Sequence, residues 1–319
     1  LHAGGIGWRI TGVGSRRLGW IADPDGLDPA ALPGLSPETI ESLPTKFRGA
    51  GNVREWVAAA HPDVVFEATS LEPHTGQPAI DHIRAALQSG AHAITANKGP
   101  IVHACEELSA LAREKQRHFL FESTVMDGVP LFSLFRECLP AVELKAFRGI
   151  LNSTTNVILT AMEDGLSFEQ ALRRAQEVGV AETDASHDID GWDATVKVAA
   201  LVRVLMRVPI RLDEIERQGI RSLSAEQVRA ARQSRTPYKL VCRARREGER
   251  VVASVRPEQL PSSDPLASVA GTSSIVYFET DMFPGLVITE VDPGLHATAY
   301  GMLSDFVRAV SAEPKLFPC

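Results

Sequence analysis

The chain has 319 residues, 44% hydrophobic and 23% charged, enough for two domains with substantial cores. Its net charge of −7, from 33 basic and 40 acidic side chains, has no basic block beyond Arg243, Arg245 and Arg246, and this argues against a nucleic-acid partner. There is no run of about eighteen apolar residues and no charged-then-apolar start, so neither a membrane span nor a signal peptide is expected and the location reads as cytoplasmic.

The four cysteines, Cys105, Cys138, Cys242 and Cys319, are widely spaced with no CxxC, as expected of free thiols in a reducing compartment. The chain opens at Leu1 with a Gly-rich LHAGGIG. Residues 8–14 (WRITGVG) alternate as a strand ending at Gly14. Residues 15–35, rich in Gly, Pro and Asp, read as a long irregular connection. Residues 53–60 form a short helix capped by Asn52, and a short apolar strand starts at Asp63. A helix over 78–89 follows, with Ile80, Ile83, Ala86 and Leu87 on one face. Then come a strand and loop in AHAITANKGP, a helix in EELSALAREKQ and a strand in HFLFEST. Strands alternating with helices imply βαβ units and a parallel sheet, with ligands at the carboxyl ends of the strands. Ser15-Arg16-Arg17, Thr69-Ser70 and Thr95-Ala96-Asn97-Lys98 fall at those ends.

A dinucleotide-binding half normally opens with a strand and GxGxxG, whose glycines admit a pyrophosphate to a helix N-terminus. Gly4, Gly5 and Gly7 precede a strand instead and do not make that motif. Ser15-Arg16-Arg17 stands where an acidic ribose ligand is usual; the arginines suit a 2′-phosphate, or are solvated loop charges.

From Met126 the pattern changes. Glycine and proline precede a helix in MDGVPLFSLFREC, a hydroxyl-rich turn enters another in GILNSTTNVILTAMEDG, and FEQALRRAQEVG is an amphipathic helix ending at Gly179. Beyond Arg211, TPYKLVCRARR, RVVASVRP, SSIVYFETD and LVITEV read as strands of a mostly antiparallel sheet, and residues 293–310 return to helix. The expected domains are 1–125, dinucleotide-binding, with 292–319 a candidate to return to it, and 126–291.

Residues 179–201, GVAETDASHDIDGWDATVKVAAL, concentrate carboxylates, one histidine and one lysine before an apolar-periodic run. A helix over 193–206 places Asp193 and Lys197 four apart on one face. A lysine on so apolar a helix either pairs with a carboxylate or lowers its pKa, or it snorkels from a solvated acidic loop. An EF-hand reading fails at Ile189 and Thr195, or at Trp192, and His187 has no partner at zinc spacing. Glu182 and Asp193 suit an ammonium, and Lys197 and Lys98 suit the oxygen of a carbonyl-derived substrate. Lys98 alone also reads as a surface loop lysine.

Four motifs in order, TANKGP (95–100), ESTVMDGVP (122–130), GILNSTTNVIL (149–159) and GVAETDxxxDIDGWDAxxK (179–197), resemble homoserine dehydrogenases, and the resemblance runs from about Trp8 to the C-terminus. It implies an α/β chain: a Rossmann-like parallel-sheet domain, then an α+β domain that is catalytic and forms a homodimer. It implies NAD(P)-dependent interconversion of L-homoserine and L-aspartate 4-semialdehyde in the threonine and methionine branch, with NADP preferred over NAD. Lys98 and Lys197 match the catalytic lysines. Glu182 and Asp193 match the substrate-binding acids, with Asp188 in support. Cofactor contacts fall at Ser15, Arg16, Arg17, Thr69, Ser70, Asn97, Lys98, Gly179 and Gly294. Glu122 and the carbonyls of Val125, Asp127 and Val129 match a structural sodium site.

The family's first strand, glycine turn and following helix are absent from the chain, and of its Gly-rich turn near the C-terminus EVDPGLHATA keeps Gly294 and Thr298. These departures leave two expectations, a chain that begins upstream of Leu1 or a homologue that binds substrate but not cofactor. No regulatory amino-acid-binding module follows Cys319, so feedback inhibition through one is not expected.

Overall fold

The computed structural model describes residues 5–49 and 51–311; Gly4, Cys319 and the outer ends of the expected first domain lie outside the described residues. The chain divides into two compact units, one running to Phe121 and resumed from Tyr300, the other Glu122–Ala299.

In the first unit β1 (Ile10–Ser15) and β2 (Gly19–Leu27) form an antiparallel hairpin, and β3 (Phe47–Arg48) pairs with β2. Residues 19–27 are thus a strand, which corrects the expected irregular connection. In the turn the Ser15 hydroxyl accepts the Leu18 N–H at 2.9 Å, and Gly19 takes a φ of +78° that only glycine adopts cheaply. Gly14 lies across from Trp20, and a Cβ there would sit 2.5 Å from the indole. The loop-like composition has its own place: the register jumps from Gly12↔Ala22 to Ile10↔Leu27, so residues 23–26, including Pro24, bulge out of the ladder. After a 3-10 turn and the short α1 (Pro37–Ile40), Ile21, Leu27 and Ile40 close a small core.

The α2 helix (Val53–Ala60) starts at Asn52, whose side-chain oxygen accepts the Arg54 and Glu55 N–H groups. A three-stranded parallel sheet follows, in the order β4 (Val64–Glu67), β5 (His92–Thr95), β6 (Phe119–Leu120). Between its strands run α3 (Ala79–Gln88) and α4 (Gly99–Glu114). Ile80, Ile83, Leu87 and Leu108 join Val65, Ala93 and Phe119 in one core. The α4 helix begins at Gly99, seven residues before the apolar-periodic stretch that marks it, because Pro100 fits a first turn whose N–H would be unpaired anyway. Met302, Phe306 and Ala309 join Val64, Ile94 and Leu120 in a second cluster.

The second unit opens with a 3-10 turn (Glu122–Thr124), α5 (Leu131–Ser133) and a π-helical turn (Leu134–Cys138), and continues into β7 (Leu144–Ile150). Four helices follow: α6 (Ser153–Glu163), α7 (Phe168–Glu177), α8 (Ser186–Ile189) and α9 (Trp192–Leu201). A helix over 193–206 is observed in two parts, since α9 passes into a π-helical turn at Val202–Met206. Next come β8 (Glu216–Arg217), α10 (Ala225–Gln233), β9 (Tyr238–Glu247), β10 (Arg250–Gln259), β11 (Ser274–Thr280) and β12 (Leu286–Glu290). Their six-stranded sheet has the order β12-β11-β7-β9-β10-β8 and is antiparallel except between β8 and β10. The last helix, α11, spans Leu295–Val310.

Candidate active site

In α9 the side chains of Ala194, Val196, Val198, Ala199, Ala200 and Leu201 are buried, so this helix is enclosed on most sides. Asp193 and Lys197 share what polar face remains. Their side chains are 18% and 16% exposed, and Nζ lies 3.3 Å from Oδ2. Lys197 Nζ also donates to the Leu151 carbonyl at 2.6 Å, where β7 has just ended. The next residue, Asn152, caps α6 by accepting the Thr155 N–H at 2.9 Å. Its amide nitrogen donates to Asp188 at 2.6 Å and to Asp193 at 3.0 Å. One capping residue thus binds two carboxylates that would otherwise only repel each other.

The electrostatics follow from this packing. Burial alone would depress the Lys197 ammonium, but the charges of Asp193, Asp127 and Asp188 outweigh it and hold its pKa above the ordinary lysine value. Of the two outcomes open to a buried lysine, pairing is the one realised. Asp188 is pushed up, first by burial and then by the Asp193 charge, against hydrogen bonds from Asn152 and Thr154. Glu290, the last residue of β12, is pushed up to about 7 by burial and by the Asp127 charge, against a 3.3 Å hydrogen bond from the Ser274 hydroxyl and the Lys197 charge. Asp127 itself accepts the Thr298 hydroxyl at 2.5 Å. Burial drives the Cys242 thiol up to about 12, so it stays protonated beside the cluster.

Glu182 is not drawn into this network. It is exposed on the turn after α7, where its carbonyl accepts the Gln176 side-chain amide at 3.2 Å. Gly179 ends α7 with φ +76°, and Gly294 precedes α11; a Cβ at either would meet nothing within 4 Å. Glu122 is buried and accepts the Phe132 and Ser133 N–H groups at 2.6 and 2.9 Å, at the start of α5. Nearby in the chain, Asp127 has φ +40° and the Val129 carbonyl accepts the Leu131 N–H at 2.8 Å.

In the first unit, Lys98 sits half-buried at the N-terminus of α4, its carbonyl accepting the Ile101 and Val102 N–H groups. Asn97, 5% exposed, donates through its side chain to the carbonyls of Thr69 at 2.9 Å and Ser70 at 3.3 Å, and accepts the Gly99 N–H at 2.9 Å. Gly99 must be bare, since a Cβ would lie 2.7 Å from the Gly76 Cα. Ser15, Arg16 and Arg17 occupy the β1–β2 hairpin turn, with both arginines exposed. That turn is antiparallel, so these three residues do not end a strand of the parallel sheet; the hairpin bond from Leu18 to Ser15 places them instead.

Sequence reasoning missed Asn152 as the bridge between carboxylates, the Asp127 carboxylate, Glu290, and Glu67 as the partner of Thr95 in the first unit. Asn152 carried a usable signal, a capping residue directly before a hydroxyl-rich helix start. Glu290 carried none, because its partner Ser274 lies on the neighbouring strand, 16 positions away.

A family model for homoserine dehydrogenase matches residues 130–307, and one for the homoserine dehydrogenase NAD-binding domain matches residues 33–122. Over 307 residues the chain is 35% identical to an NAD(+)-dependent homoserine dehydrogenase of Pseudomonas canavaninivorans, covering 95% of this chain and 87% of that protein. It is 33% identical over 300 residues to a homoserine dehydrogenase of Methanocaldococcus jannaschii, covering 93% and 88%. A solved hyperthermophilic archaeal homoserine dehydrogenase mutant in complex with NADPH matches with a TM-score of 0.71 at 29% identity, covering 85% of this chain and 78% of that one. The NAD-binding match lends no support to a homologue confined to substrate binding. With both units matched in order and nearly the whole chain aligned, the chain belongs to the homoserine dehydrogenase family of NAD(P)-dependent oxidoreductases.

Proposed function

We propose that the chain interconverts L-homoserine and L-aspartate 4-semialdehyde with NAD(P), in the threonine and methionine branch of amino-acid synthesis, as a cytoplasmic homodimer. The observation that carries this reading is the Asp193–Lys197 pair, anchored on the Leu151 carbonyl and flanked by Asp188 through Asn152. A nicotinamide, when bound, would supply or receive the hydride; the residues of the chain align the reactants and manage charge.

In the direction of semialdehyde reduction the carbonyl oxygen gains negative charge as its carbon gains hydride. Lys197, kept protonated by three carboxylates, stabilises that oxygen. A lysine so held is a poor base, which favours Lys98 for the proton in this reading: Lys98 gives a proton to the alkoxide in reduction and takes the hydroxyl proton in oxidation. Asp193 and Asp188 hold the α-ammonium, joined by Glu182, which as an exposed carboxylate loses its hydration only when substrate arrives.

The residues suit the cofactor. Gly179 and Gly294 leave open space where a side chain would stand. Thr69, Ser70, Asn97 and Lys98 supply polar groups at the ends of β4 and β5. Glu122 with the carbonyls of Val125, Asp127 and Val129 is an all-oxygen set suited to a hard cation, and sodium would share Glu122 with two backbone amides. The homodimer is carried by the family resemblance of the second unit.

The test is turnover by purified protein with NAD⁺ or NADP⁺. Reduced nicotinamide should form with L-homoserine, and L-serine, one methylene shorter, should be at least about tenfold poorer in kcat/KM. No reduced cofactor with homoserine, or equal use of serine, overturns the assignment.

A further inference from the structure

The carboxyl ends of β4 and β5 are joined by a closed set of hydrogen bonds centred on Glu67, which is 3% exposed. Its Oε1 accepts both the N–H of Thr69, at 2.9 Å, and the Thr69 hydroxyl. Its Oε2 accepts the Thr95 hydroxyl at 2.9 Å, and the Thr95 oxygen in turn accepts the Asn97 N–H at 2.9 Å. Asn97 completes the ring by donating to the Thr69 and Ser70 carbonyls. His82 Nδ1 stands 3.5 Å from Oε1. Burial would raise the Glu67 carboxyl, but the hydrogen bonds from His82, Thr69 and Thr95 outweigh it and keep it ionised.

The residue types are those the ring requires. An ionised carboxylate is acceptor-only and can take several donors at once, whereas a glutamine would turn an N–H against one of them. The threonine hydroxyl must donate and accept together, and a valine of the same shape can do neither. Two loops with few backbone bonds of their own are thereby fixed to each other, one carrying Thr69 and Ser70 and the other Asn97 and Lys98.

We propose that Glu67 and Thr95 are positioning residues for hydride transfer, fixing the backbone that presents Lys98 and the Thr69 and Ser70 carbonyls without touching either reactant. This rests on the role given to Lys98 above. It adds two residues to the machinery, and both act through the two loops.

The experiment compares Thr95→Val, Thr95→Ser, Glu67→Gln and Lys98→Ala with wild type, with kcat expressed per folded protein from circular dichroism. Thr95→Val is expected to lower kcat about 10- to 100-fold, the scale of an ångström-level misplacement, with the homoserine KM changed less than about threefold. Thr95→Ser restores kcat to within about threefold of wild type, and Glu67→Gln follows Thr95→Val where it folds. If Lys98→Ala abolishes turnover while Thr95→Val keeps kcat per folded protein within about threefold, the positioning role is overturned. A loss in Thr95→Val that only follows the folded fraction overturns it equally. Wild-type turnover in Lys98→Ala instead overturns the Lys98 assignment, and the inference with it.

Discussion

The two polar networks of the chain differ in what they hold still. Around Glu67 a single carboxylate takes its donors from two hydroxyls, one backbone amide and His82, and the result is fixed loop geometry. Around Lys197 three aspartates face one ammonium, and the result is fixed charge. Both sit at the ends of strands, where side chains can converge without breaking a ladder. An enzyme that moves a hydride needs both kinds of order, because alignment sets the approach and charge sets the barrier.

Removing the charge should cost most. Lys197→Ala is expected to lower kcat about 10³-fold, as loss of a group aimed at a developing oxyanion does, with the fold retained in circular dichroism. Turnover within tenfold of wild type would end the comparison, since the cluster would then be structural.

Asn152→Ala should come next. It leaves Asp188 and Asp193 without their common donor and removes the α6 cap, so Tm should fall by the equivalent of about 1–3 kcal/mol and the homoserine KM should rise. A lower Tm with an unchanged KM would separate the cap from the site.

Glu290 sharpens the contrast through pH. Its folded pKa, about 7, lies above the ordinary carboxylate value of 4.5, so its contribution to stability is complete below that value and is lost as pH rises through 7. Glu290→Gln should therefore reduce the fall in Tm between acidic and mildly alkaline buffer, by about 2 °C at this size. An identical pH profile in the variant would show that Glu290 does not titrate beside Asp127.

The smallest effect concerns Cys242. Buried and protonated, it should resist alkylation in the native protein while the exposed Cys138 reacts, with activity unchanged. Peptide mass spectrometry reads this directly, and early modification of Cys242 would contradict the enclosure of the cluster.

What could be read in advance was local. Asp193 and Lys197 are one helical turn apart in an otherwise apolar run, so their 3.3 Å pairing needed only the helix. Asn52 as a cap and the strands β9 to β12 were legible for the same reason, whereas β7, in the middle of the same sheet, was not assigned. Pro24 misled, because composition marks a break in hydrogen bonding and cannot tell a loop from a bulge within a strand. Asn152 reaches acids 36 and 41 positions away, and Glu67 meets Thr95 across 28. Such meetings depend on how strands and helices are brought together, and no local spacing records them.

The central claim is that Asp193, besides holding the α-ammonium, keeps Lys197 charged and in place, and kcat at saturating homoserine across Asp193→Asn, Lys197→Ala and the double variant tests it most directly. The account predicts that the double variant is no slower than Lys197→Ala alone, because the two residues act as one unit. Losses that multiply would show that Asp193 and Lys197 act independently and would contradict it.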